Sequence, residues 1–144
     1  MAFVLLATTG MRRGEVLGLR WEDIDFDGRA LSIVQTLTTV RGEMHIGPPK
    51  TGKSRRRVSI DNVTFDALKA HRKAQREERM AADVWMNDGD LVFTDEHGGP
   101  VHPNRFSQSF DRIVRDAELA RIRLHDLRVR HEVPCTGRGE RTRR

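Results

Sequence analysis

Three pairs of side chains in this sequence are suited to holding an anion. Arg12 and Arg13 open a short stretch of apolar pattern, Lys50 and Lys53 sit in a loop that two prolines open, and His125 and Arg128 are spaced i, i+3. On a helix the last spacing puts both side chains on one face, where they can grip one anion together. A guanidinium presents a planar fork of donors that matches phosphate oxygens, whereas a loop lysine offers a mobile charge and a transferable proton. The set has no obvious acidic partner, and the chain has no Gly-rich loop of the kind that cradles nucleotide phosphates. Those residue types therefore point to binding a phosphodiester and not to hydrolysing a nucleotide. His45, His71, His97, His102 and His131 show no metal-ligand spacing, so no metal site is expected.

The elements that must position these groups follow from pattern. "MAFVLLATTG" reads as the second half of a helix stopped by Gly10, and "RRGEVLGLRW" as a short second helix. In that second helix Val16, Leu17 and Trp21 share a face, and Arg12, Arg13 and Glu15 lie off it. Alternation then takes over: Ile24 and Phe26, an Asp27-Gly28 turn, and Leu31, Ile33 and Leu37. Met44 with Ile46, and Val58 with Ile60, mark two more strands, giving a small antiparallel sheet of three or four. Between them Pro48 and Pro49 stiffen the start of the loop, and Gly52 loosens its cationic half, "KTGKS".

Asp61 or Asn62 caps a predicted helix running to about Asp83, anchored by Phe65 and Leu68, with a charged and exposed second half, "RKAQREERM". A short strand, "LVF", precedes a Gly-Gly-Pro turn. From Pro103 a helix places Phe106, Phe110, Ile113, Val114 and Ala117 on one apolar face, and "RLHDLR" begins a last helix in which Asp126 complements the helix dipole. The expected fold class is α+β, mostly helical, with a small antiparallel sheet. Residues 1–128 form the domain, and 129–144 have no apolar periodicity and are expected to be a basic, disordered tail.

Bulk properties add bounds. The chain of 144 residues is the length of one domain. Its net charge of +5 suggests a polyanion partner, yet five arginines and two glutamates in 129–144 supply +3 of that, leaving +2 for residues 1–128. No apolar run is long enough to span a bilayer, and "AFVLLA" lacks the basic leader of a secretory signal, so the expected location is cytoplasmic and no membrane partner is expected. The single cysteine, Cys135, has no internal partner for a disulfide.

Three stretches, in order, resemble one family. "ATTGMRRGEVLGLRWEDID" is similar to the first-arginine box of the tyrosine recombinases, the phage integrase family; "PPKTGKSRRRVSI" resembles their catalytic-lysine hairpin, and "IRLHDLR" their His-x-x-Arg box. The resemblance covers residues 2–128 and implies a catalytic domain that cuts and rejoins double-stranded DNA in integration and recombination. It implies that Arg12 and Arg128 clamp the phosphate, with Arg13 a neighbour in a register that one sequence leaves open. It also implies that Lys50 is the general acid for the leaving 5′-hydroxyl, with Lys53 competing for that role, and that His125 completes the set. Arg12, Lys50, Lys53 and Arg128 are the implied DNA contacts. Two preorganised arginines stabilise the five-coordinate phosphorus of the transition state more than the ground state, so neither a metal nor a small-molecule cofactor is implied.

The sequence departs from the family in two respects that matter for chemistry. The family's nucleophile is a tyrosine, and this sequence has none. Nothing after Arg128 resembles the family's second His-or-Trp box, and Trp21 and Trp85 lie upstream. A truncated catalytic domain, with a change of reading frame or gene decay near codon 129, is the expectation that accounts for the abrupt basic tail. Such a chain would be catalytically incompetent alone. The other readings are a non-catalytic DNA-binding regulator and an interaction module that binds a full-length recombinase.

Overall fold

The computed structural model describes residues 1–49, 55–87 and 89–129, with the backbone alone for Arg128 and Val129. Two short helices lead, α1 (Ala2–Thr9) and α2 (Arg13–Leu17), followed by strands β1 (Ile24–Asp25), β2 (Ala30–Ile33), β3 (Thr36–Val40), β4 (Glu43–Gly47) and β5 (Arg56–Ser59). Three helices follow among the described residues: α3 (Asn62–Ala81), α4 (Pro103–Asp116) and α5 (Asp126–Val129). The α+β class expected from the sequence is what is seen.

Gly10 stops α1 by adopting a left-handed conformation (φ 64°) and returning its N–H to the Leu6 carbonyl. The second helix is shorter than its pattern predicts. It ends at Leu17, and Trp21 sits instead in a 3-10 turn, Trp21–Asp23, where the Asp23 carboxylate accepts from the Arg20 N–H at 3.2 Å. The reason is close packing on β3. A Cβ on Gly14 would lie 2.5 Å from the Leu37 carbonyl oxygen, and one on Gly18 would lie 3.0 Å from the Leu37 amide nitrogen. Gln35 closes the same junction by donating to the Gly18 carbonyl at 2.7 Å.

The predicted single sheet is two. β1-β2-β5 form one antiparallel sheet, with Leu31 opposite Val58 and Ile33 opposite Arg56; β3-β4 form a separate hairpin with Thr38 opposite His45. Leu37 therefore belongs to a different sheet from Leu31 and Ile33, although all three are buried. Phe26 falls in the turn after β1, not in the strand, because Asp25 accepts from the N–H groups of Asp27 and Gly28 and closes the chain early. The β3-β4 turn uses Arg41 and Gly42, both at positive φ, as a two-residue hairpin requires.

Asp61 caps α3 by accepting from the Thr64 N–H at 2.8 Å, and Phe65 and Leu68 are buried as predicted. Its second half departs from the solvated expectation at Gln75, which is 7% exposed. Gln75 accepts from the Trp21 indole at 2.7 Å and donates to the carbonyls of Leu91 and Val92, each at 3.1 Å. The "LVF" segment is accordingly no regular strand. It is held by a bridge from Arg20 to Leu91 and by Gln75 and His71 from α3. Leu91, Val92 and Phe93 are all buried.

Pro103 opens α4, whose Phe106 stacks on Phe3 of α1 with centroids 4.6 Å apart. Ile113 leaves the predicted apolar face: it is 50% exposed, while Phe106, Phe110 and Val114 are buried. Among the described residues no helix is long and apolar enough to cross a membrane. Lys50, Lys53, Cys135, His131 and the rest of the predicted tail from 130 onward lie outside the described residues.

The contact of α2 with β3 gives a test. Gly14→Ala adds a methyl that the Leu37 backbone cannot yield to, so it should destabilise the fold by about 1–3 kcal/mol despite alanine's better helix propensity. A lowered urea midpoint with unchanged slope would show it; a raised midpoint would refute the close-packing account.

Candidate phosphate-binding site

Arg12 immediately precedes α2 in an extended conformation (φ −77°, ψ 152°), so it occupies the helix cap. Glu15, at the third helical position, reaches back and accepts from the Arg12 N–H at 2.7 Å. This is one half of a capping box, and it fixes the Arg12 backbone. The same carboxylate accepts from Arg12 Nη1 at 3.1 Å, fixing the side chain as well.

Glu15 was expected off the apolar face, and the cationic set was expected to lack an acidic partner. Both expectations fail at this residue. Glu15 is 2% exposed, and from the other side the Arg56 fork donates to both its oxygens, at 3.1 and 3.0 Å. Burial pushes the carboxyl pKa up, but the hydrogen bonds from Arg56 and from the Arg12 backbone outweigh it, leaving the group below its ordinary value. The carboxylate therefore stays ionised between two guanidinium groups. It spends only one Arg12 nitrogen, and the Arg12 side chain remains 53% exposed. Glu15 and Arg56 are positioning residues that sequence patterning did not single out; the Arg-x-x-Glu spacing from Arg12 was the available signal.

Arg13 is tied to α4. Its Nη1 donates to Ser107 Oγ at 2.7 Å and to the Pro103 carbonyl at 3.3 Å, joining α2 to the first turns of α4.

His125 lies one residue before α5, at its cap, and the backbone of Arg128 follows three residues later within the helix. The turn is closed by Asp126, whose carboxylate accepts from the Arg123 N–H at 2.9 Å while its own N–H returns to the Arg123 carbonyl. Leu124 packs on the core, and exposed His125 lines a cleft of about 400 Å³ together with Leu6, Met11, Arg12, Arg13, Gly14 and Ser107. The fold thus brings His125 to Arg12 from the far end of the described chain. The Arg128 backbone belongs to α5; Lys50 and Lys53 belong to the segment just before β5, whose first residue is Arg56. Among the described residues no group of three His, Cys, Asp or Glu could hold a metal ion.

The Glu15 bridge makes stability depend on pH. Because the folded pKa lies below the unfolded one, its contribution is complete above about 4.5 and is lost as pH falls through the folded value. Glu15→Gln should cost about 1.5–3 kcal/mol at pH 7, the scale of hydrogen bonds to a charged group. The gap from wild type should narrow in urea titrations carried to progressively lower pH. A gap that stays constant down to pH 3 would contradict the bridge.

The sequence profile of the phage integrase family matches residues 1–133. A "tyrosine recombinase XerC-like" protein of Caldanaerobacter subterraneus is 32% identical over 95% of this chain, and the ICEBs1 integrase of Bacillus subtilis 31% over 92%. The chain spans 38% and 36% of those relatives' lengths. Among solved structures, the Tn1549 transposon integrase in complex with transposon right-end DNA superposes with a TM-score of 0.73 at 26% identity, covering 88% of this chain and 42% of that one. Helices around small antiparallel sheets match the catalytic-domain fold of those integrases, and the chain belongs to the phage integrase family.

Proposed function

We propose that this chain is a phosphodiester-binding portion of a tyrosine recombinase catalytic domain, acting on double-stranded DNA in integration and recombination. The observation that carries the reading is the shared cleft of Arg12 and His125, with Arg12 held at a helix cap by a buried carboxylate. An arginine fixed in this way meets the added negative charge of a five-coordinate phosphorus without reorganising, which is the condition under which such a donor lowers a barrier. In this reading Arg128 is the second arginine of the clamp. Lys50 protonates the leaving 5′-hydroxyl, with Lys53 as a further phosphate contact, and His125 donates to a non-bridging oxygen. Arg13, tied to Ser107, takes no part. No tyrosine occurs among the 144 residues, so a covalent step at this cleft takes its hydroxyl from outside them. A full-length recombinase is the partner that would supply it, and DNA as substrate sets the location as the cytoplasm.

Duplex binding measured against salt tests the clamp. Arg12→Ala should weaken binding and make the slope of log K against log salt shallower by about 0.9, the value of one phosphate contact. Unchanged affinity and slope would overturn the assignment. Supercoiled plasmid should remain unnicked by the chain alone; nicks that vanish in Arg12→Ala would instead show that water attacks within the clamp.

A further inference from the structure

From its middle onward α3 carries Lys69, Arg72, Lys73, Arg76 and Arg79. A charged helix stretch is by default a solvated face, and three observations separate this one from that default. The Arg72 guanidinium lies over the rings of Trp21 and Phe26, 5.3 and 5.1 Å from their centroids, so packing orients it and no carboxylate does. Among the described residues, Arg72, Arg76 and Arg79 have no ion pair, and Lys73 has only a 4.0 Å approach to Glu77. Arg72 and Arg76 also line two clefts. One, of about 260 Å³, adds Arg79, Trp21 and Trp85; the other, of about 550 Å³, adds Lys69, Lys73 and Phe26. The rims hold Asp90 in the first cleft and Asp27 and Glu77 in the second, so five cations face three carboxylates.

We propose that this ridge is a second contact for the DNA backbone, separate from the Arg12 cleft, with which it shares no lining residue. The proposal rests on the DNA-binding reading above. Arg72 to Arg79 spans about 10 Å of helix axis at 1.5 Å per residue, roughly three nucleotide steps of one strand at 3.4 Å each. Unpaired guanidinium forks match phosphate oxygens, and an indole beside them offers a face to a base or sugar, a pairing that an acidic peptide does not use. The ridge would hold the same DNA as it leaves the cleft, or a second duplex.

The chain's two tryptophans both line this ridge, and none lines the Arg12 cleft, so indole emission reports on the ridge alone. Titration of the full chain with a 20-base-pair duplex at low salt should change the emission, and fluorescence anisotropy of labelled duplex gives total affinity. Arg76→Ala/Arg79→Ala, both at exposed positions, should abolish the emission change and make the salt slope shallower by about 1.8, with circular dichroism unchanged. Arg12→Ala should weaken binding yet keep the emission change. The proposal fails if the double variant responds like wild type, if DNA binds with no change in emission, or if polyglutamate evokes the change as strongly as DNA. An Arg12→Ala chain that binds as wild type, beside a double variant that has lost its response, would overturn the cleft reading and leave the ridge standing.

Discussion

The Glu15 carboxylate, 2% exposed and gripped by two guanidinium groups, is the constraint on which the rest of the arrangement depends. Burying a lone carboxylate costs several kcal/mol, so this residue can sit there only while Arg12 and Arg56 both attend it. That requirement reaches in two directions. Towards the N-terminus it sets the backbone and side chain of Arg12 at the cap of α2. Towards the sheet it anchors Arg56 at the start of β5, the strand that follows the lysine-bearing segment. One interior charge thus fixes the Arg12 cap and the start of β5 relative to each other.

The bridge needs α2 close to the strands, and the glycines provide it. With no Cβ at Gly14 and Gly18, the helix backbone comes against Leu37, and Val16 and Leu17 reach zero exposure. The third polar segment arrives separately: Leu124 packs on the core beside α1, and its neighbour His125 is left at the cleft. On the far side, α3 performs a similar task with neutral groups. Gln75 and His71 satisfy the carbonyls of Leu91 and Val92, so an irregular segment can be buried where a strand would otherwise be required.

Much of the helical framework was legible because its signals are local. Gly10 as a stop, Asp61 as a cap, Pro103 as a start and the spacing of Phe106, Phe110 and Val114 each depend on a few neighbouring residues. Ile113, at 50% exposed, shows the limit: periodicity defines a face, but how far the partner layer extends over it is not written in the helix. The division of strands into two sheets was illegible for the same reason. Leu31, Ile33 and Leu37 keep one alternation, and only packing of the residues between β2 and β3 against Gly18 separates them.

The sequence by itself determined the family and the candidate chemistry: the order of "TGMRRGE", "PPKTGKSRRR" and "HDLR" is a covalent fact, as is the lack of any tyrosine. It also determined the stop of α1 at Gly10 and the starts of α3 and α4, since such caps and stops act over one turn. Tertiary structure alone decided which cations are committed and which remain open. Arg12 and Arg13 are neighbours of the same type, yet one meets a buried carboxylate beside the cleft and the other a serine of α4. Glu15 and Glu77 are both glutamates on helices, yet one is enclosed and the other lies in solvent. Coulomb and hydrogen-bond energies depend on distance and desolvation, which a chain acquires only when segments distant in sequence close around the group.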